Sequence, residues 1–133
     1  MIEWKDAYSV GVEIIDKDHK VLISLVNRYL EESANKPAIL VHNLFRDLEN
    51  YTHFHFKREE DLMAQGGYEH LEEHKRQHEI IRQKLKDFSD KSTHRFSQDE
   101  EDAFRQFLST WLLEHVMGED FQYKDCLAKL NLP

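Results

Sequence analysis

Residues 44–62 read Leu-Phe-Arg-Asp-Leu-Glu-Asn-Tyr-Thr-His-Phe-His-Phe-Lys-Arg-Glu-Glu-Asp-Leu, and they form the centre of a long helical pattern. Side chains spaced three or four residues apart lie on one face of a helix. The face defined in this way, extended by one turn at its start, consists of Leu40, Leu44, Leu48, Tyr51, His55, Glu59 and Leu62. The pattern predicts a helix over 38–64 that ends before Gly66-Gly67, with His55 and Glu59 on its apolar face.

Three further segments show the same helical period. The first runs from about Lys17 to Ser33 and the second from about Glu69 to Phe88. The third begins at Ser97, which together with Glu100 has the spacing of a capping box, and continues to His115. A short helix is predicted over 120–130.

The segment before the first helix alternates instead between apolar and polar residues, from Tyr8 to Ile14. Period two predicts an extended arm with one face on an apolar surface. Four amphipathic helices with short connections indicate an all-α fold. We therefore expect an antiparallel up-down-up-down four-helix bundle, with an extended N-terminal arm and a short C-terminal helix, as one domain over 1–133.

The net charge and the composition disfavour some classes of partner and some cellular locations. The chain has 133 residues and a net charge of −8, which argues against nucleic acid as a partner. No apolar run approaches the ~20 residues of a membrane span, and the first residues lack the pattern of a signal peptide. Cys126 is the single cysteine, which fits a reducing compartment. The expected location is cytoplasmic.

The apolar face of every predicted long helix contains residues that can bind a metal. They are His19 on the first helix, His55 and Glu59 on the second, His74 and His78 on the third, and His115 on the fourth. A buried imidazole or carboxylate without a partner costs several kcal/mol, so a cluster of them requires compensation. A bound cation provides it, and the sequence therefore predicts a metal site inside the bundle.

The kinds of ligand restrict the metal. Imidazole with a few carboxylates suits iron, zinc, copper or nickel, and six ligands exceed the needs of one tetrahedral zinc ion. Two metals are therefore favoured. No histidine has a glutamate three residues before it, which disfavours a ferritin-like di-iron site, and no His-Glu-x-x-His is present. No nucleophile elbow is found either, so no catalytic residue is assigned.

The other histidines serve as internal controls for this prediction. His42 and His53 lie more than about 120° from the centre of the stripe on a helical wheel, so we expect them in solvent. His70 has ligand spacing to His74 but lies in the first turn of its helix, and we expect it at the surface or behind the ligands.

The order and spacing of these motifs resemble a hemerythrin, specifically a single-domain bacterial hemerythrin. The resemblance runs from the arm at Trp4 to Tyr123. It rests on Ile15-Asp16-Lys17-Asp18-His19, His55-Phe56-Lys57-Arg58-Glu59-Glu60-Asp61-Leu62-Met63, His74-Lys75-Arg76-Gln77-His78, and Trp111-Leu112-Leu113-Glu114-His115-Val116-Met117-Gly118-Glu119-Asp120.

The resemblance implies one ligand that the stripes do not show, Asp120. It also implies that Glu59 and Asp120 bridge two iron ions, with the five histidines as terminal ligands and an oxo or hydroxo bridge between the irons. His115 and Asp120 are five residues apart, so both can face one site only if the helix is broken or bulged. Gly118 between them allows such a distortion.

The function implied by the resemblance is reversible O2 binding at the one open iron position, for storage, transport or buffering of oxygen. It is not an enzymatic function. Reversibility requires a dry apolar pocket, and the neighbours of the proposed ligands that can form it are Phe56, Trp111, Leu112 and Val116. The alternatives are O2 or redox sensing and a di-iron enzyme that reduces peroxide or nitric oxide. An O2-consuming enzyme is the expected protein partner.

Overall fold

The computed structural model describes residues 2–32, 38–91, 97–115 and 123–132, without the side chains of residues 32, 38–41, 91, 112 and 113. A 3-10 turn at Asp6–Tyr8 precedes the helices. The helices are α1 Glu13–Glu32, α2 Ala38–Gly66, α3 Leu71–Lys91, α4 Gln98–Glu114 and α5 Lys124–Ala128. Within the described ranges there is no strand, and none of the helices has the length and apolarity that a bilayer crossing requires.

The four long helices form the predicted antiparallel bundle. α2 packs between α1 and α3, α4 packs against α1, and α5 packs against α2. The antiparallel direction of α1 and α2 follows from two contacts. The ring of His19 near the start of α1 lies 4.8 Å from that of His55 in the second half of α2, and the ring of Tyr29 near the end of α1 lies 5.1 Å from that of Phe45 in the first half of α2. His115, directly after α4, lies 6.0 Å from the same His19 ring, so one level of the bundle brings together side chains from separate helices.

The N-terminal arm is shorter than the alternation predicted. α1 begins at Glu13 rather than at Lys17, because Ile15 adds one more turn to the apolar face that continues through His19. The backbone amide groups of Ile15 and Asp16 already donate to the carbonyl of Val12. The arm before it does lie on the bundle, since Asn27 exchanges two hydrogen bonds with the backbone of Ile2, at 3.0 and 2.7 Å.

The helix ends follow the local sequence signals. After α2, Gly67 has a φ of 66° and Tyr68 donates to the carbonyl of Met63, which is the glycine-based stop predicted there. At the start of α4, Glu100 donates its backbone amide to the Ser97 hydroxyl, and its carboxylate accepts from the Ser97 amide, both at 3.2 Å. The capping box is confirmed.

The last turn of α3 differs from the prediction. Residues 89–91 are helical, beyond the end predicted at about Phe88, since Ser89 is buried and continues the inward face. Residues 92–96 lie outside the described residues. α5 is confirmed over 124–128, whereas 129–131 form a turn and 120–122 lie outside the described part of the chain.

The core consists of two apolar clusters with a polar layer between them. The larger cluster includes Leu22, Leu48 and Phe104, and the smaller one includes Ile15 and Met63. Along α1, His19 lies between Ile15 of the smaller cluster and Leu22 of the larger one. The polar side chains on the apolar faces are thus stacked at one level of the bundle, enclosed on both sides by apolar packing.

Candidate metal centre

The six metal-capable side chains predicted from the helical faces lie together. Their exposed fraction is 3% for His74 and 0% for the other five, which are His19, His55, Glu59, His78 and His115. Burying a set of groups that bind water this strongly is unfavourable unless they satisfy one another or share a cation. The burial of all six side chains at one place therefore has to be compensated by contacts among them or by a bound cation.

The ligand atoms form two overlapping groups. One group is His19, His55, Glu59 and His115, and the other is His74, His78 and His115, with the ligand atoms of each group within 4.8 Å of one another. His115 belongs to both groups and itself lies in π-helical backbone. Each of the two groups contains enough donor atoms to hold a metal ion, and His115 is shared between them.

Glu59 is at the centre of the cluster. Its Oε1 atom lies 2.8 Å from His55 Nε2, 3.1 Å from His115 Nε2 and 3.7 Å from His78 Nε2. Its other oxygen, Oε2, accepts a hydrogen bond from the hydroxyl of Tyr123, a fully buried residue just before α5. One carboxylate oxygen thus lies within 3.7 Å of imidazoles from α2, from α3 and from the residue that follows α4.

A second carboxylate orients His55 from behind. Nδ1 of His55 lies 3.0 Å from Asp18 Oδ2, while the other oxygen of Asp18 accepts hydrogen bonds from Tyr51 at 2.9 Å and Arg58 at 3.2 Å. Asp18 is only 2% exposed. With Nδ1 held in this way, Nε2 of His55 is directed into the cluster.

The same arrangement recurs at His78. Its Nδ1 lies 2.8 Å from Glu60 Oε2, which also accepts from Arg82 at 3.0 Å. Its Nε2 atom is buried and makes no hydrogen bond to the described residues. Phe56 covers the imidazole, with stacked rings whose centroids are 3.8 Å apart.

The charges of these groups follow from their surroundings. Burial alone would raise the pKa of Asp18, but the hydrogen bond and charge of His55, with Tyr51 and Arg58, hold it below 3.8. Burial would likewise raise the pKa of Glu60, but His78 and Arg82 hold it below 4.5. Both residues are therefore carboxylates at neutral pH. Burial and the contact with Asp18 raise the pKa of Tyr51 to about 12, so Tyr51 remains a donor.

The protonation of His78 follows from its burial and from its contact with Glu60. Burial lowers its pKa below 6.5, and the opposing hydrogen bond to Glu60 does not compensate. His78 is then a neutral imidazole that donates its Nδ1 proton to the Glu60 carboxylate. The lone pair is left on Nε2, the atom without a hydrogen bond. A carboxylate behind an imidazole is the usual arrangement at metal-binding histidines.

These residues fit a transition metal. Imidazole nitrogens with few carboxylate oxygens form a donor set that suits iron and its neighbours rather than magnesium or calcium. The buried Nε2 of His78 provides an independent sign, because a lone pair directed into a closed cluster is satisfied when a cation lies in front of it.

Two of the four residues predicted for the O2 pocket can be located. Phe56 is fully buried between His78 and Trp111, and Trp111 is 5% exposed with its ring centroid 6.0 Å from that of His115. Leu112 lies in α4 but its side chain is outside the described part, as are Val116 and the predicted bridging ligand Asp120. The positions of these three stay predictions.

The histidines expected to be outside the cluster are outside it where the structure describes them. His53 is exposed and the side chain of His70 is 60% exposed. His42 is half-buried rather than in open solvent, which differs from the expectation, but it is not among the ligand groups.

The supporting residues Asp18, Glu60 and Tyr123 were not predicted from the helical faces. Asp18 precedes His19 and Glu60 follows Glu59, so each is turned about 100° away from the ligand next to it. Each contacts a ligand on the neighbouring helix instead. An acidic residue directly beside a ligand on a bundle helix is the signal that could have found Asp18 and Glu60, whereas Tyr123 has no such pattern.

The comparisons with known proteins agree with this centre. The family model described as "Hemerythrin HHE cation binding domain" matches residues 10–127. A bacteriohemerythrin of Stenotrophomonas maltophilia is 30% identical over 132 residues, covering 98% of this chain and 85% of that protein. A myohemerythrin of Riftia pachyptila is 30% identical over 121 residues, with 91% and 89% covered.

A solved structure shows the same fold. The crystal structure of a wild-type hemerythrin superposes with a TM-score of 0.86 at 26% identity, covering 96% of this chain and 98% of that one. Sequence, topology and the match of the family model over nearly the whole chain all agree, and the chain belongs to the hemerythrin family.

Proposed function

We propose that this protein binds O2 reversibly at two iron ions held in the buried cluster. The observation that carries the proposal is the pair of overlapping ligand groups, joined by His115 and by the central Glu59, inside an apolar bundle. The ligands would be His19, His55, Glu59, His74, His78 and His115, with Asp120 completing the set as the family resemblance implies. When bound, the irons supply reversible electron transfer to O2.

The protein side of the function is to keep the centre dry and its ligands fixed. Asp18 and Glu60 each hold a proton at the Nδ1 atom of a ligand histidine, so that Nε2 remains a base directed inward. Phe56 and Trp111 exclude water from the side of His78 and His115. A charged species crosses apolar walls only at a high desolvation cost, whereas neutral O2 crosses them freely.

The metal stoichiometry provides the first test. The protein should bind about two irons, and His55→Ala should lose metal because it removes an inward nitrogen. His53→Ala is the matched control, since His53 lies two residues away on the same helix and is exposed. Equal iron loss in both variants would contradict the assignment of the cluster.

Oxygenation provides the second test. Iron is loaded without air, O2 is admitted and then removed, and the visible spectrum is followed through several cycles. We expect a spectrum that appears with O2 and disappears when O2 is withdrawn. Irreversible oxidation in the first cycle would reject reversible binding.

A di-iron enzyme that reduces peroxide or nitric oxide is the second candidate. The observation in its favour is Tyr123, whose buried hydroxyl donates to Glu59 and can supply a proton at the centre. Turnover of peroxide or nitric oxide by the iron-loaded protein, lost in Tyr123→Phe, would favour this function over reversible binding.

We also propose a cytoplasmic location and delivery of O2 to an O2-consuming enzyme. The single cysteine supports a reducing compartment. Cell fractionation tests the location, and recovery of iron-loaded protein mainly outside the cytoplasmic fraction would contradict it.

A further inference from the structure

A groove of about 540 Å³ lies between α3 and α4, and a member of the metal cluster lines it. Its surface is mostly apolar. The residues that shape it are Ile80, Ile81, Phe107, Thr110, Trp111 and His115. Ile80 is 59% exposed, although the other exposed residues of α3 are polar or charged. The groove therefore leads from an apolar patch on the surface to a buried histidine.

Any ligand of the cluster has to cross the protein, because the cluster residues are buried. Three other depressions among the described residues differ from this groove in their lining. One of about 320 Å³, between α2 and α3, has a largely polar lining and includes no cluster residue. An apolar groove of about 490 Å³ lies at Ile14 and Leu62, but none of its lining residues belongs to the cluster. A small cleft of about 130 Å³ is lined by His70 and the ligand His74, but the rest of its lining is largely polar.

We propose that the groove between α3 and α4 is the route by which O2 enters and leaves the centre. This inference rests on the proposed function. O2 is small, uncharged and apolar, so it partitions onto apolar surface more readily than ions or water do. The cleft at His70 has the opposite character and suits polar species.

Trp111 connects the groove to the interior. Its ring stacks on Phe107 within the groove, with centroids 6.1 Å apart and planes 15° apart. The same ring contacts Phe56 edge-on at 6.3 Å and lies 6.0 Å from the ring of His115. The groove thus reaches the ligand shell at His115, beside the ring of Trp111, and a small displacement of that ring lets a diatomic molecule pass.

The experiment fills the groove without changing a ligand. Thr110 is exposed and lines the groove one turn before Glu114. In Thr110→Trp we expect the association and the release rate of O2 both to fall about tenfold, while Kd changes by less than about twofold, because a barrier on the route acts equally in both directions. Gln106→Trp, at an exposed position one turn earlier on the same wall, is a second blocking variant with the same expected result.

The matched controls place the same bulk in two of the other depressions. Ile14→Trp fills the apolar groove near α1, and His70→Trp fills the polar cleft, and we expect both to keep the wild-type rates. The rates are measured by stopped-flow mixing of the reduced, iron-loaded protein with O2. A readout independent of O2 binding is the position of xenon in crystals of the iron-loaded protein, which should occupy the wild-type groove beside Trp111 and be absent from it in Thr110→Trp.

Three outcomes overturn the proposal. If wild type oxygenates and both blocking variants keep their rates, or if Ile14→Trp or His70→Trp is slowed instead, the route is elsewhere while O2 binding stands. If wild type binds iron but never oxygenates, the proposed function fails and this route for O2 fails with it.

Discussion

At the scale of single residues, Asp18 and Glu60 follow one geometric rule. Each adjoins a predicted ligand in sequence, and each contacts a ligand of the next helix, Asp18 on α1 with His55 of α2 and Glu60 on α2 with His78 of α3. A turn of about 100° from an inward position points to the boundary with the neighbouring helix. The carboxylates therefore tie adjacent helices together through the ligands.

We predict that Asp18→Asn and Glu60→Gln weaken iron binding without unfolding the protein. Each substitution keeps the shape but removes the negative charge that fixes the Nδ1 proton, and loss of such a partner lowers metal affinity by roughly 10–100-fold. The affinity is measured by competition with a chelator, and helix content by circular dichroism.

The control for this pair is Asp61→Asn. Asp61 is also an acidic residue of α2, but it is exposed and pairs with the exposed Lys57 at 3.6 Å. The Asp61→Asn protein should bind iron with the same affinity as wild type. The same affinity in all three variants would show that the carboxylates behind the histidines do not support metal binding.

At the scale of the helices, the end of α2 depends on close packing against α5. A β-carbon at Gly66 would lie 2.6 Å from Sγ of Cys126 and 3.2 Å from its backbone oxygen. α5 follows Tyr123, which donates to Glu59, so the approach of these two helices also positions a residue of the centre.

We predict that Gly66→Ala lowers the free energy of unfolding by about 1–3 kcal/mol, because the added methyl group forces α5 away. Cys126→Ala in the same chain should restore part of the loss, since Sγ is the nearest atom. Urea unfolding followed by circular dichroism provides the measurement. Gln65→Ala, at the exposed position next to Gly66, is the control and should change the free energy of unfolding by less than about 0.5 kcal/mol. Equal losses of stability in Gly66→Ala and Gln65→Ala would refute the packing argument.

At the scale of the whole molecule, the bundle is two apolar clusters separated by a layer of ionisable groups. Such a layer contributes little to stability unless its charges are compensated. Its contribution therefore depends on pH and on metal.

We predict that stability falls in acid and that iron loses its stabilising effect there. Burial lowers the folded-state pKa of His78 below 6.5, so below that pH the unfolded chain binds more protons than the folded protein. The contribution of His78 to the free energy of unfolding is therefore fully present above about pH 6.5 and is lost as the pH falls further. The lowered pKa values of Asp18 and Glu60 add a further loss at lower pH, below 3.8 and 4.5 respectively. Protons also compete with iron for the imidazoles.

The measurement is the free energy of unfolding of iron-loaded and metal-free protein across this range. The two values should converge by about pH 4, since the ligand histidines are then protonated in the unfolded chain. A constant difference down to that pH would contradict histidine ligation. His53→Ala should leave both curves unchanged, because His53 is exposed.

Most of the helices and the metal-capable residues on their apolar faces were predictable from sequence alone. Helical period and the signals at helix ends are local properties, so α2, the capping box at Ser97 and the stop at Gly67 could be predicted from neighbouring residues. His55 and Glu59 were found in the same way, because a polar residue on an apolar face is visible within one helix.

The side chains that support the cluster and the groove beside it could not be predicted, because both depend on contacts between distant segments. Asp18 and His55 are 37 residues apart, and Tyr123 and Glu59 are 64 apart. No periodicity connects such pairs, since their contact depends on how helices are rotated and spaced in the bundle. The groove between α3 and α4 has the same origin, because both helices contribute to its lining and their spacing is set by packing rather than by the sequence of either helix.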